Sequence, residues 1–216
     1  METSSLTSVA EKYLAGHFRS LTMPLFFRTD LSVEEQTHVR GKPRPYLDVA
    51  SALVKRFRMR TVVEIGGMRQ ELKHALYDFD PACCNDGHST LFWADTGAEV
   101  FSIDVDPQSA RILSSYAATY PNLHAHTGDG IEFLGQFGAQ IDLLYLDAWD
   151  VLAGTDYAEK HLEAYLAARE KLAASALILI DDTDLMFGGK GRLAIPRMIA
   201  DGFTLLVAGR QTMLAR

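Results

Sequence analysis

From Thr61 onward, short apolar runs alternate with amphipathic helical patterns, and no other feature of the chain constrains its fold so strongly. The runs are TVVEIGG, EVFSIDV, LHAHTGD, IDLLYLDA, ALILIDDT and FTLLVAGR, followed by TMLAR. PQSARILSSYAATY follows the second run and HLEAYLAAREKLA the fourth, each with helical patterning. Strand, helix, strand in repetition implies an α/β fold with a doubly wound, mostly parallel sheet of seven strands. The last two runs lie too close for a helical crossover, so they are expected to form an antiparallel hairpin.

Upstream, to Arg58, the texture is helical. SLTSVAEKYLAGHF and PYLDVASALVKRF space their apolar residues by three and four. Pro45 suits a helix start, and GKPRP reads as a break. Residues 1–58 are therefore expected to form a helical N-terminal cap on the main domain, residues 59–216. The 216 residues suit one α/β domain with a small extension, and a hydrophobic share of 48% argues against disorder. A net charge of −7 without any basic block disfavours nucleic acid or an anionic membrane as main partner, and leaves room for a small molecule or a divalent cation. METSSLTSVAEKYL lacks the pattern of a signal peptide, and no apolar run approaches a bilayer span. Cys83 and Cys84 are neighbours, a strained geometry for a bridge and no zinc-ligand spacing. A cytoplasmic protein is expected.

The ends of the apolar runs repeat a theme. The first holds Glu64 and then Gly66 and Gly67; the next four end in Asp104, Asp129, Asp147 and the pair Asp181–Asp182. In a parallel sheet these acids share the carboxyl edge, where such folds bind ligands. Glycines after the first strand let a ligand approach the backbone, and an acid ending the second is placed to accept from ribose hydroxyls. The plain alternative for Asp104 is a cap on the helix starting near Pro107.

These motifs resemble those of class I S-adenosylmethionine-dependent methyltransferases over Thr61 to Arg216. VVEIGG is similar to their first motif, VFSIDVD to their ribose-binding acid and GDGIEFL to their adenine-side turn. GGMRQE does not follow the G-x-G-x-x-G of dinucleotide dehydrogenases. The resemblance implies a Rossmann-like methyltransferase fold and S-adenosylmethionine as cofactor. Gly66 and Gly67 would contact its methionine part, Asp104 its ribose and Asp129 its adenine, with Glu64 and Asp147 as further cofactor-binding residues. Unlike in the family, an insertion of residues 68–85 precedes NDGHSTLFWA, which reads as the displaced continuation of the motif. Gly87, His88 and Ser89 then stand near a helix start, where N–H groups could meet a carboxylate. His88 serves equally as a capping or packing residue, and the insertion is either a wall of the acceptor pocket or a surface loop.

A narrower resemblance joins IDLLYLDAWD and ALILIDDTD to the metal-site strands of catechol, caffeoyl-CoA and macrolide-sugar O-methyltransferases. Asp147 with Trp149, and Asp181 with Asp182, stand at the matching positions. The resemblance implies Mg2+ on Asp147, Asp181 and Asp182, a hard cation on oxygen ligands. Crowded carboxylates also repel one another, which a cation relieves. The alternative has Asp182 capping a turn and Asp184 solvated. The lysine those families carry after the tryptophan is absent here, where Asp150 stands. Asp150, Tyr157 and His161 are the candidate bases; the last two share a helix face at i,i+4, as an ordinary amphipathic helix would also have it. The expected function is Mg2+-dependent O-methylation of a small-molecule acceptor, with a homodimer as one possible assembly. Metal-free methyl transfer, another S-adenosylmethionine-dependent alkyl transfer or cyclisation, and a non-catalytic cofactor-binding role are the alternatives.

Overall fold

The structure, a computed structural model, describes residues 5–17, 43–72 and 88–216. Seven strands form one sheet in the order β3-β2-β1-β4-β5-β7-β6. They are β1 (Thr61–Ile65), β2 (Glu99–Asp104), β3 (Leu123–Thr127), β4 (Ile141–Leu146), β5 (Leu172–Ile180), β6 (Thr204–Val207) and β7 (Thr212–Ala215). The first five pair in parallel, and β7 runs antiparallel to both β5 and β6. The expected doubly wound sheet and its closing hairpin are both present. Seven α-helices are described: α1 (Leu6–His17), α2 (Arg44–Phe57), α3 (Ser89–Ala94), α4 (Pro107–Ser114), α5 (Gly130–Gln136), α6 (Tyr157–Ala168) and α7 (Ala194–Ala200).

Side chains alternate across the strands and so split the core in two. Val62, Leu143, Tyr145, Leu177, Leu179 and Met213 face one way, into an apolar layer with α1, α2, α3 and Leu113 of α4. Val63, Ile65, Leu144, Leu146, Ile178 and Leu214 face the other, against α5, α6 and α7. Both faces are covered, which explains why β4 and β5 end in unbroken apolar runs, Leu143–Leu146 and Ala176–Ile180, rather than alternating ones. The N-terminal helices pack through Leu6, Ala10 and Leu14 of α1 and Leu47, Ala50, Leu53 and Val54 of α2, all in contact with the first layer. Pro45 lies in the first turn of α2, and the helix stops where Arg58 turns left-handed at φ 52°.

Glu64 ties α3 to the sheet. It is fully buried and accepts hydrogen bonds from Ser89 Oγ (2.6 Å), Ser102 Oγ (2.7 Å), Trp93 Nε1 (3.2 Å) and the Thr90 hydroxyl. Burial pushes its carboxyl up to about 7, against the pull of the three hydroxyls. Most of the insertion, Gly87 and the segment between α1 and α2 lie outside the described residues. Of the insertion's start, Met68 is buried, and the Leu72 N–H donates to Tyr116 Oη at 3.0 Å.

Candidate active site

A cavity of about 390 Å³ opens where β1, β2, β3 and β4 end. Its floor is main chain. Gly66 N–H donates to the Ile103 carbonyl at 2.9 Å, and Asp147 N–H to the Ile65 carbonyl at 2.8 Å, so the strand ends stay in register. Gly66 has φ 99°, and a Cβ there would meet the Asp147 carbonyl oxygen at 2.5 Å; no other residue fits this turn. Asp104 lines the wall. Its Oδ2 accepts from Gly67 N–H at 2.9 Å and its Oδ1 from Asp106 N–H at 2.8 Å. Asp106, not Asp104, caps α4, accepting from Gln108 N–H at 2.8 Å. The Asp104 carboxylate is therefore held rigidly at the cavity, with lone pairs left for a ligand's hydroxyls. Val105, 71% exposed, offers an apolar surface beside it.

Several expected cofactor residues stand elsewhere. Asp129 does not line the cavity; it is exposed and caps α5, its Oδ1 accepting from Ile131 N–H at 2.8 Å and Glu132 N–H at 2.9 Å. Gly128 and Gly130 on either side do line it. Glu64, His88 and Ser89 are buried away from the lining, Glu64 and Ser89 bonded to each other.

The acids at the ends of β4 and β5 do come together. Asp147, Asp181 and Asp182 each offer an oxygen within 4.8 Å of the others. Asp147 belongs to the cavity as well, so the cluster adjoins it. Two cations absent from the sequence-based expectation complete it. Lys190 Nζ lies 2.7 Å from Asp147 Oδ1 and 3.1 Å from Asp182 Oδ2. Arg210 reaches Asp181 Oδ2 at 3.1 Å and also donates to Asp182 Oδ1. Gln211 Nε2 donates to Asp181 Oδ1 at 2.8 Å, and Tyr145 Oη to Asp147 Oδ2 at 3.3 Å. Asp184, solvated in the alternative reading of the sequence, is buried at 1% exposure, 3.9 Å from the Arg210 guanidinium.

Electrostatics follow from burial. Desolvation lifts Asp181 well above the usual carboxylate range, reinforced by Asp147 and Asp182; it lifts Asp147 too, while Lys190 pulls it back. For Lys190, burial works against the ammonium, but the three carboxylates outweigh it and keep the side chain charged. In spacing the acids suit a divalent ion. In hydrogen bonding they do not, since both oxygens of every one already meet an N–H or O–H donor, and an ion would have to displace Lys190.

The three candidate bases separate. Asp150 is exposed at the cavity wall, 3.6 Å from the Arg69 guanidinium. Tyr157 opens α6 and is half-buried. His161 is fully buried, its Nδ1 2.6 Å from the Tyr157 carbonyl and its ring edge-on to Trp149 at 5.2 Å. A carbonyl only accepts, so Nδ1 carries the proton and Nε2 the lone pair. Burial pushes His161 down to about 3, so the ring is neutral at physiological pH. Trp149 and Asp182 both hold left-handed backbone, at φ 48° and 52°, just past the ends of β4 and β5. Such outliers gather at functional sites, where the surrounding structure holds them in place.

No protein-family model matches the sequence, and no curated protein matches it. The fold is similar to that of solved methyltransferase structures. The SAH-bound Podospora anserina methyltransferase PaMTH1 aligns at 15% identity over 98% of this chain and 93% of its own, TM-score 0.56. An O-methyltransferase from Bacillus cereus in complex with SAH aligns at 16% over 97% and 91%, TM-score 0.52. A candidate rRNA methylase from Clostridium thermocellum aligns at 12% over 78% and 95%, TM-score 0.50. At these identities the likeness establishes the fold and leaves the acceptor open.

Proposed function

We propose that this chain is an S-adenosylmethionine-dependent methyltransferase that acts on a hydroxyl of a small molecule. One observation carries the reading: a cavity at the carboxyl edge combines the Gly66 turn with an Asp104 carboxylate fixed by two main-chain donors. Gly66 and Gly67 allow close approach of the cofactor's amino-acid end, Asp104 accepts from its ribose, and Val105 with Gly128 flanks its base. When bound, the cofactor supplies an electrophilic sulfonium methyl. The rest of the work belongs to the chain: it aligns an acceptor oxygen with that methyl and excludes water. Asp150, already at the cavity wall, is the candidate best placed to take the hydroxyl proton; His161 has a free lone pair but is sealed behind Trp149. The acids around the opening and the net charge of −7 repel a phosphate backbone, which favours a small acceptor over RNA.

Magnesium-assisted transfer has the spacing of Asp147, Asp181 and Asp182 in its favour and the placement of Lys190 against it. Calorimetry tests the core of the proposal. SAH should bind one per chain and NAD should not, and methyl-labelled S-adenosylmethionine should label a hydroxyl-bearing acceptor. Binding of NAD in place of SAH would overturn the reading.

A further inference from the structure

A buried lysine between two aspartates calls for an explanation. Lys190 is 1% exposed, and removing so long a charged side chain from water is unfavourable unless its partners are fixed. They are. The segment from Leu185 to Arg192 is shaped around this one side chain. Phe187, Gly188 and Gly189 all take left-handed φ values, and a Cβ on Gly189 would run into the Asp182 carbonyl oxygen. That same carbonyl accepts the Lys190 N–H at 3.4 Å, so the loop is anchored on the residue its lysine neutralises. From the other side, the β6–β7 turn delivers Arg210 and Gln211.

The result is a closed set. Each of the six oxygens of Asp147, Asp181 and Asp182 faces a donor, supplied by four side chains: Lys190 and Tyr145 for Asp147, Gln211 and Arg210 for Asp181, Arg210 and Lys190 for Asp182. We infer that Lys190 is the resident cation of this cluster: with Arg210 it takes the place in which a divalent ion would bridge Asp147 and Asp182, and the protein works without such an ion there. Magnesium needs carboxylate oxygens at about 2.0–2.1 Å, closer than an ammonium sits, so ion and lysine exclude each other. Lys190 then acts as a positioning residue. It fixes the Asp147 side chain, and with it the wall that the cavity shares with the cluster. Unlike a metal ion, it offers no open coordination site to an acceptor.

The inference does not rest on the methyl-transfer reading, because its test reads metal binding directly. Mn2+ is titrated into the full-length protein, with the free ion followed by electron paramagnetic resonance. The wild type should show no binding that Asp147→Asn removes. Lys190→Met should gain one site per chain, and adding Asp147→Asn to it should abolish that site. Stoichiometric Mn2+ uptake by the wild type that Asp147→Asn removes would overturn the inference, as would a folded Lys190→Met without the new site. If Lys190→Met is unfolded alone, restoration of its near-ultraviolet dichroism by millimolar Mn2+ supports the inference, and failure to restore it counts against.

Discussion

At the carboxyl ends of β1, β2 and β3, the groups offered to the cavity are largely main chain, held by partners close by. At the ends of β4 and β5, and in the β6–β7 turn, they are side chains that face one another and little else. The first region is open and shaped by glycines; the second is buried and balanced by charge. Asp147 belongs to both. The contrast separates two tasks on one sheet edge. Binding a cofactor needs a preformed, accessible surface, whereas holding the cavity wall in place needs a network that is complete without a ligand. The two regions should therefore fail differently when a charge is removed.

The largest expected effect lies in the buried region. Lys190→Met leaves Asp147 and Asp182 without their shared cation in a desolvated site, and breaking a buried pair this way costs about 3–5 kcal/mol. Urea denaturation should show a loss of that size, and adding Asp147→Asn should recover part of it by removing one stranded charge. A loss no greater than that of an exposed pair, about 1 kcal/mol or less, would mean the cluster is not the closed network its geometry describes.

The open region should lose affinity instead. Asp104→Ala removes a charged acceptor from the cavity, worth about 1.5–3 kcal/mol to each hydroxyl it binds. The dissociation constant for SAH should therefore rise roughly tenfold to a hundredfold by calorimetry. The fold should lose less than in Lys190→Met, because Asp104 stands at the open cavity and its removal strands no buried charge. If Asp104→Ala destabilised the protein as much as Lys190→Met and left SAH affinity unchanged, the contrast between the regions would collapse.

The same contrast governs what could be read before folding. Gly66, Asp104 and the strand ends are local signals: an apolar run, a turn residue, an acid. Asp129 shows the limit of such signals, since an acid after a strand and before a helix reads equally as ligand contact or N-cap, and here it is the cap. The convergence of Asp147, Asp181 and Asp182 was also legible, because parallel neighbours end on one edge. Lys190 and Arg210 were not. Lys190 reaches Asp147 across 43 residues and Arg210 reaches Asp182 across 28. Arg210 meets Asp182, and Gln211 meets Asp181, because β5 and β7 pair Ile180 with Thr212. The hairpin was foreseeable, but a register between two strands buried on both faces where they pair leaves no local mark.

A change of slope rather than of size sharpens the comparison by moving it inside the core. Glu64 and His161 are both fully buried, on opposite faces of the sheet, and burial moves them in opposite senses, each toward its uncharged form. Glu64 is pushed up to about 7, from an ordinary value of 4.5. Between these values the folded chain keeps a proton that the unfolded chain has lost. Its contribution to stability is therefore full below 4.5 and is lost as pH rises to about 7, at up to about 1.4 kcal/mol per pH unit. His161 is pushed down to about 3, from 6.5, so the unfolded chain binds a proton that the folded chain refuses. Its contribution is full above 6.5 and is lost as pH falls toward 3. Between pH 4.5 and 6.5 the two slopes oppose each other and largely cancel. Glu64→Gln should make the unfolding free energy rise more steeply with pH across this window than in the wild type. His161→Phe, which keeps a ring against Trp149, should make it fall. Each slope is compared with the wild type, so every other titrating group drops out. Parallel profiles for all three proteins would mean that neither group keeps, when folded, the protonation its burial dictates.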